Sequence, residues 1–180
     1  MKYFIVEQDK KIIDSPQIIN WYNKIDVEKI NRNEAHKIPN FIELDVKSMD
    51  DVTYYDIISF PFFLISEPYF EIIQMFEPNL PKKRVTLFEA EKNIMHTYFL
   101  PVMGQPIIIE ENSMMQLHKR NFKEVIFKKN SVINKYIFQI VAFERRYIVM
   151  RLELVEALLR RNITGLMLHE IKCKEEKNER

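Results

Sequence analysis

Four histidines, one cysteine, a handful of serines and two regions of opposite charge are the residues of this 180-residue chain whose types could do chemistry. His36, His96, His118 and His169 share no metal-ligand spacing with one another or with Cys173. An isolated imidazole also lacks the convergent partners that a catalytic site requires. Asp50 and Asp51 could meet a divalent cation, but no ordered series of oxygen ligands follows them, so a solvated acidic loop is expected. Ser66 stands before Glu67-Pro68 and Ser131 follows Lys128-Lys129-Asn130. A helix cap and a turn account for both without a nucleophilic role. The chain has only two glycines, which argues against a Gly-rich phosphate loop. The sequence thus predicts a non-enzymatic protein with no catalytic residue, no metal and no cofactor.

Charge is the stronger signal. From Lys119 to Arg146 the bases are Lys119, Arg120, Lys123, Lys128, Lys129, Lys135, Arg145 and Arg146, against Glu124 and Glu144 alone. Residues 14–56 lean the other way through Asp26, Glu28, Glu34, Glu43, Asp45, Asp50, Asp51 and Asp56. A formal net charge of +1 conceals this polarity. Two such faces suit a protein partner of complementary charge. A basic strand pair within 119–146 would instead suit a phosphate backbone. The candidate partner-binding residues are Asp50, Asp51, Asp56, Lys128, Lys129, Lys135, Arg145 and Arg146.

The elements that must position these groups are sheet-rich. Apolar residues make up 47% and charged residues 29%, a globular balance. The expectation is one α+β domain over residues 1–180, with lobes 1–90 and 91–172 and a charged tail at 173–180. The single cysteine excludes an internal disulfide and suits a reducing cytoplasm. No run approaches the ~20 apolar residues of a membrane span. Oligomeric state leaves no mark in the sequence.

Along the chain, Tyr3 to Val6 reads as a buried strand with Ile12-Ile13 as its hairpin partner. Ser15-Pro16 opens a helix through Ile18, Ile19, Tyr22 and Ile25. Residues 26–40 read as irregular, and Phe41 to Val46 as a strand. Phe62 to Ile65 is a strand, Ser66-Glu67-Pro68 starts a helix, Pro78 stops it, and Val85 to Phe88 returns. Further strands are expected at Ile94–Leu100, Ile107–Ile109, Val125–Phe127 and Tyr136–Phe138, with a turn at 128–131. The aromatic group Phe60, Phe62, Phe63, Tyr69, Phe70 and Phe76 reads as core. Tyr147 to Met150 is another strand. A helix follows with Leu152, Val155, Leu158 and Leu159 as its apolar stripe, then Gly165 and a closing strand from Leu166. The two strand-helix-strand stretches suggest an internal repeat: Phe63–Ser66 over Tyr147–Met150, Phe70 over Leu154, and Val85–Phe88 over Leu166–His169.

Tyr136-Ile137-Phe138-Gln139, Tyr147-Ile148-Val149, the Leu152–Leu159 helix and Ile163-Thr164-Gly165-Leu166 together resemble the bacterial immunity-protein family eleven, a former domain of unknown function. The opening MKYFIV and the Ile57–Glu67 segment also fit it. The chain departs from that pattern at Gln139, where the family has Arg, and at Met150, where it has Ser. The resemblance is densest over the last third of the chain. It implies a small cytoplasmic protein that neutralises a cognate polymorphic toxin by binding it, with no catalytic residues of its own. The alternative expectation is a nucleic-acid-binding module using residues 119–146.

Overall fold

The computed structural model describes residues 1–107, 109, 113, 115, 119, 122, 125–128, 132, 134–142 and 145–174. Along them run β1 (Tyr3–Gln8), β2 (Ile18–Ile19), β3 (Phe41–Val46), β4 (Ile57–Ile58), β5 (Leu64–Ser66), α1 (Glu67–Phe76), β6 (Lys82–Glu89) and β7 (Ile94–Pro101). These are followed by β8 (Ile126–Lys128), β9 (Ile137–Ala142), β10 (Arg145–Arg151), α2 (Leu152–Leu159) and β11 (Leu166–Lys174). The strands form two mixed sheets, so the architecture is α+β and sheet-dominated. One sheet has six strands in the order β2-β3-β6-β7-β5-β4, the other five in the order β8-β11-β1-β10-β9.

Side chains alternate across a strand, and that alternation divides the core into three clusters. The central cluster joins Phe70 and Ile73 of α1 to Val155 and Leu158 of α2. It adds Ile65 and Phe99 from the six-stranded sheet and Val6, Ile148 and Met150 from the five-stranded one. The alternate residues Tyr3, Ile5, Phe138, Tyr147 and Val149 face the other way, against Phe122, Val125 and Val132. Likewise Leu44, Val85, Leu87, Tyr98 and Leu100 face Ile18, Ile25, Ile30 and Ile38. The segment before each parallel strand pair therefore covers that sheet's outer side.

The strands are arranged alike in both sheets. β5 and β6 flank α1 and both run antiparallel to β7, which lies between them. β10 and β11 flank α2 and both run antiparallel to β1. Beyond them β3 is parallel to β6 and β8 is parallel to β11, while β4 and β9 are antiparallel to β5 and β10. The orders β4-β5-β7-β6-β3 and β9-β10-β1-β11-β8 thus coincide in space and direction, although β7 follows β6 in the chain whereas β1 precedes the other strands of its sheet. The sheets do not divide the chain at residue 90, since β7 belongs to the first and β1 to the second.

Several expectations need correction. The helix expected from Pro16 is instead β2 followed by a 3-10 turn at Trp21–Asn23. Ile18 pairs with Val46 and is buried while Ile19 is exposed, so alternation and β-branching prevail over the loose helical spacing. Ile12-Ile13 does not pair with β1, whose two sides are taken by β10 and β11, and Ile13 is 90% exposed. The buried stripe of α2 is Leu154, Val155 and Leu158; Leu159 is half exposed. Ile107 forms only an isolated bridge to Ile140, and Ile108 lies outside the described residues. Ser66 occupies the N-cap position of α1, yet its hydroxyl donates to Asp56 Oδ1 at 2.8 Å rather than capping the helix. Of the turn expected at 128–131, Lys128 instead ends β8, and residues 129–131 lie outside the described residues. No helix among the described residues is long and apolar enough to cross a membrane.

Candidate functional site

Where the two sheets meet, the ends of corresponding elements enclose a cleft of about 520 Å³. One wall comes from the β4–β5 connection and the end of β7: Phe60, Pro61, Phe62, Phe63, Leu100 and Pro101. The other comes from the start of β10 and the end of β1: Arg145, Arg146, Tyr147, Ile148, Val6 and Glu7, with Gln139 of β9. Val27 and Ile30 from the irregular segment close one side. The first wall is apolar because each of these side chains is, and residues 59–63 lie outside the β4–β5 pairing. Phe62 and Phe63 are buried, whereas Phe60 is 73% exposed. Phe60 lies edge-on to Trp21 at 6.4 Å between ring centroids, and Trp21 in turn meets Phe62 at 6.3 Å and the exposed Tyr22 at 6.0 Å. An aromatic rim thus borders the cleft.

The second wall is polar and internally ordered. Arg146, mostly buried, donates from Nη1 to the Ile30 carbonyl and Gln139 Oε1, each at 3.2 Å. Its Nη2 donates to the Glu28 carbonyl at 3.2 Å and Glu28 Oε2 at 3.3 Å. Gln139 completes the link by donating from Nε2 to the Gly104 carbonyl at 2.9 Å. This buried amide, where the resemblance expects Arg, is a fixed acceptor for Arg146. Arg145 is half exposed, donates from Nη2 to Glu7 Oε1 at 3.0 Å and lies over the Tyr147 ring. Ser59 joins the walls: its hydroxyl accepts from the Gln8 amide at 2.8 Å.

Behind Arg145, the Glu7 carboxylate is almost fully buried. Its Oε2 lies 3.6 Å from Lys10 Nζ and 3.6 Å from His169 Nε2. Glu7 Oε2 and His169 Nε2 are both buried and make no hydrogen bond among the described residues. His169 stacks on Phe122 at 4.1 Å. Burial lowers its pKa below the ordinary imidazole value, Glu7 opposes that shift and Lys10 reinforces it. Chemically, the cleft offers oriented guanidinium donors facing an apolar wall, which is an arrangement for recognition.

The charged candidates are dispersed. Arg145 and Arg146 reach the cleft. Asp56 binds internally: Oδ2 accepts from the Thr164 amide at 2.8 Å and hydroxyl at 2.6 Å, and Oδ1 from Ser66. It staples the β4–β5 hairpin to the turn before β11. Asp50 and Asp51 are exposed on the link after β3, away from the cleft, where the Asp50 carbonyl accepts from Lys92. Lys135 lines a smaller cavity of about 200 Å³ with Arg32 and Glu77. Lys128 ends β8, its side chain undescribed, and Lys129 lies outside the described residues. β8 and β9 do not pair but occupy opposite edges of the five-stranded sheet. Lys128 and Arg145 stand on strands three spacings apart, about 14 Å across the sheet, and at opposite ends of them, roughly 30 Å along the strand direction. Of the strands expected in the basic stretch, β8 and β9 thus do not form a pair, whereas Arg145 and Arg146 lie on the β9–β10 pair.

Sequence reasoning missed Phe60, Trp21, Tyr22, Glu7 and Gln139. Pro61 was the available sign that Phe60 would leave the strand pattern. For the others, the contact depends on neighbours far along the chain. Among the described residues no three His, Cys, Asp or Glu side chains are grouped to hold a metal ion. No protein-family model and no curated protein matches the chain.

Proposed function

We propose that this protein is a non-enzymatic cytoplasmic immunity protein that binds and neutralises a cognate bacterial toxin domain, and that the cleft is the docking site. The observation that supports docking is the exposed Phe60, bordered by Trp21 and Tyr22, beside a cleft whose facing wall holds Arg145 and Arg146. Aromatic and arginine side chains around an apolar pocket are the composition of interface hot spots. The resemblance to immunity-protein family eleven supports the biological setting. The matching strand orders and directions support a second part of the reading, that the two sheet-and-helix units descend from one repeat.

The experiment is growth rescue. The chain is co-expressed with the toxin domain encoded beside it, and survival is compared for the wild type and Phe60→Asp. Wild type should restore growth, and Phe60→Asp should lose rescue by at least tenfold in colony count while keeping its thermal melt. Failure of the wild type to rescue overturns the immunity reading. Full rescue by Phe60→Asp overturns the cleft as docking site.

A further inference from the structure

We infer that the cleft selects a protein segment in which a bulky apolar side chain stands next to a carboxylate. This deepens the docking reading and rests on it. The polar wall carries a charge imbalance. Arg146 is met by Glu28. Arg145 and Lys10 are both left to one carboxylate, that of Glu7. Among the described groups at this wall there is one more cation than carboxylates to balance it.

Position decides what an incoming group meets. The Glu7 side chain is 9% exposed and that of Arg145 is 50% exposed, so the carboxylate sits behind the guanidinium. A guanidinium has five N–H donors, and Arg145 spends one on Glu7 among the described residues. A carboxylate arriving from solvent takes a paired, charge-assisted hydrogen bond there. A cationic group meets excess like charge, and a neutral amide gains less.

The facing wall sets the second requirement. Phe60, Phe62, Phe63 and Leu100 bring no hydrogen-bonding side chain into the cleft, so the group seated on them must be apolar. The cleft volume of about 520 Å³ lies within the range that holds a compact ligand or anchor side chain. The rim of Trp21 and Tyr22 continues beyond it and gives flanking residues of a protein segment a surface to lie on. Both requirements fall on adjacent residues because the two walls belong to one cleft.

Trp21 is the only tryptophan of the chain and touches Phe60, so its fluorescence reports on the cleft. The probes are three blocked tetrapeptides: acetyl-Gly-Asp-Phe-Gly-amide and its counterparts with Asn or Lys in place of Asp. Each is titrated to millimolar concentration, with amide NMR shifts followed in parallel. The Asp peptide should bind at least tenfold tighter than the Asn peptide, and the Lys peptide should bind weakest. Arg145→Gln should abolish the preference by weakening the Asp peptide far more than the Asn peptide. Arg145→Lys should retain only part of it, because an ammonium cannot form the paired bond. Raising salt should reduce the preference in the wild type. Equal binding of the three peptides, a preference that survives Arg145→Gln, or no shift of cleft resonances would overturn the inference. If no peptide binds yet Phe60→Asp still abolishes toxin rescue, this inference falls and the docking reading stands. If the Asp peptide is preferred yet Phe60→Asp rescues fully, the docking reading falls instead.

Discussion

The six-stranded and five-stranded halves share a strand order but differ in how they treat a buried carboxylate. In the first, Glu89 is fully buried, and its oxygens meet the Ser48 hydroxyl at 3.1 Å, the Tyr54 hydroxyl at 3.1 Å and Lys92 at 3.0 Å. In the second, Glu7 has one oxygen on Arg145 while the other faces His169 and makes no hydrogen bond among the described residues. A satisfied buried group rigidifies its surroundings, and a half-satisfied one is held at a cost. The same division runs through the cleft. The six-stranded half supplies its apolar wall and the five-stranded half its charged one. The two halves thus share a strand arrangement and differ in how their buried carboxylates are met, and the less fully met one lies on the polar wall of the cleft.

The largest test of this likeness lies in the helices. Ile73 of α1 and Leu158 of α2 are both fully buried in the central cluster. Ile73→Ala and Leu158→Ala should each cost about 2–5 kcal/mol in urea unfolding. A cost within error for one of them would break the equivalence of the helices. A smaller effect is expected where the halves differ. α2 is followed by Gly165 at φ 81°, where a Cβ would lie 2.9 Å from Tyr55 Cβ and 3.0 Å from the Ile57 carbonyl. Gly165→Ala should cost roughly 1–3 kcal/mol, read as a lower urea midpoint. An unchanged midpoint would show that the turn does not need its close approach to the β4 hairpin.

The smallest expected effects are pH dependences, and they separate the two buried carboxylate sites. Lys92, then Tyr54 and Ser48, hold the Glu89 carboxyl below its ordinary value, against the opposing effect of burial. A depressed carboxyl stabilises the fold above its unfolded pKa of 4.5 and loses that contribution as pH falls through the lower folded value. Burial lowers the His169 pKa, so its neutral form stabilises the fold at higher pH, and that contribution fades as pH falls below 6.5. In a series of urea midpoints, Glu89→Gln should flatten the profile below pH 4.5. His169→Gln should flatten it earlier, starting below pH 6.5. Superimposable profiles for the two variants would contradict the contrast between the halves.

Much of the framework was legible because it rests on local signals. Ser66-Glu67-Pro68 and Pro78 bracket α1, Gly165 marks the turn before β11, and alternation marks β3, β6 and β10. The stretch from Ile18 to Ile25 was misread because its apolar spacing fits a loose helix. Its burial is decided by the outer face of a sheet formed later in the chain. The cleft was half legible. Arg145 and Arg146 stood out as charges, but Phe60 was absorbed into an aromatic group assigned to the core. Whether a ring points inward depends on which strand lies beneath it, and no local pattern encodes that. The charge run does not map to one strand pair for the same reason, since β8 and β9 are near in sequence and lie at opposite edges of a sheet.

The placement of β1 has a consequence for the order of assembly. Its residues pair on one side with β10, Tyr3 opposite Arg151, and on the other with β11, Tyr3 opposite Ile171. Those partners are separated from it by roughly 150 residues of chain, so closing that loop carries a larger entropic cost than any hairpin here. The β6–β7 hairpin, by contrast, joins Glu89 to Ile94 across a short turn. Local contacts form early and distant ones late. A ribosome emitting this chain releases β1 long before β10 and β11. Until β10 emerges, β1 is an apolar ribbon awaiting both flanks, and the polar wall of the cleft, built on β1 and β10, cannot form before then.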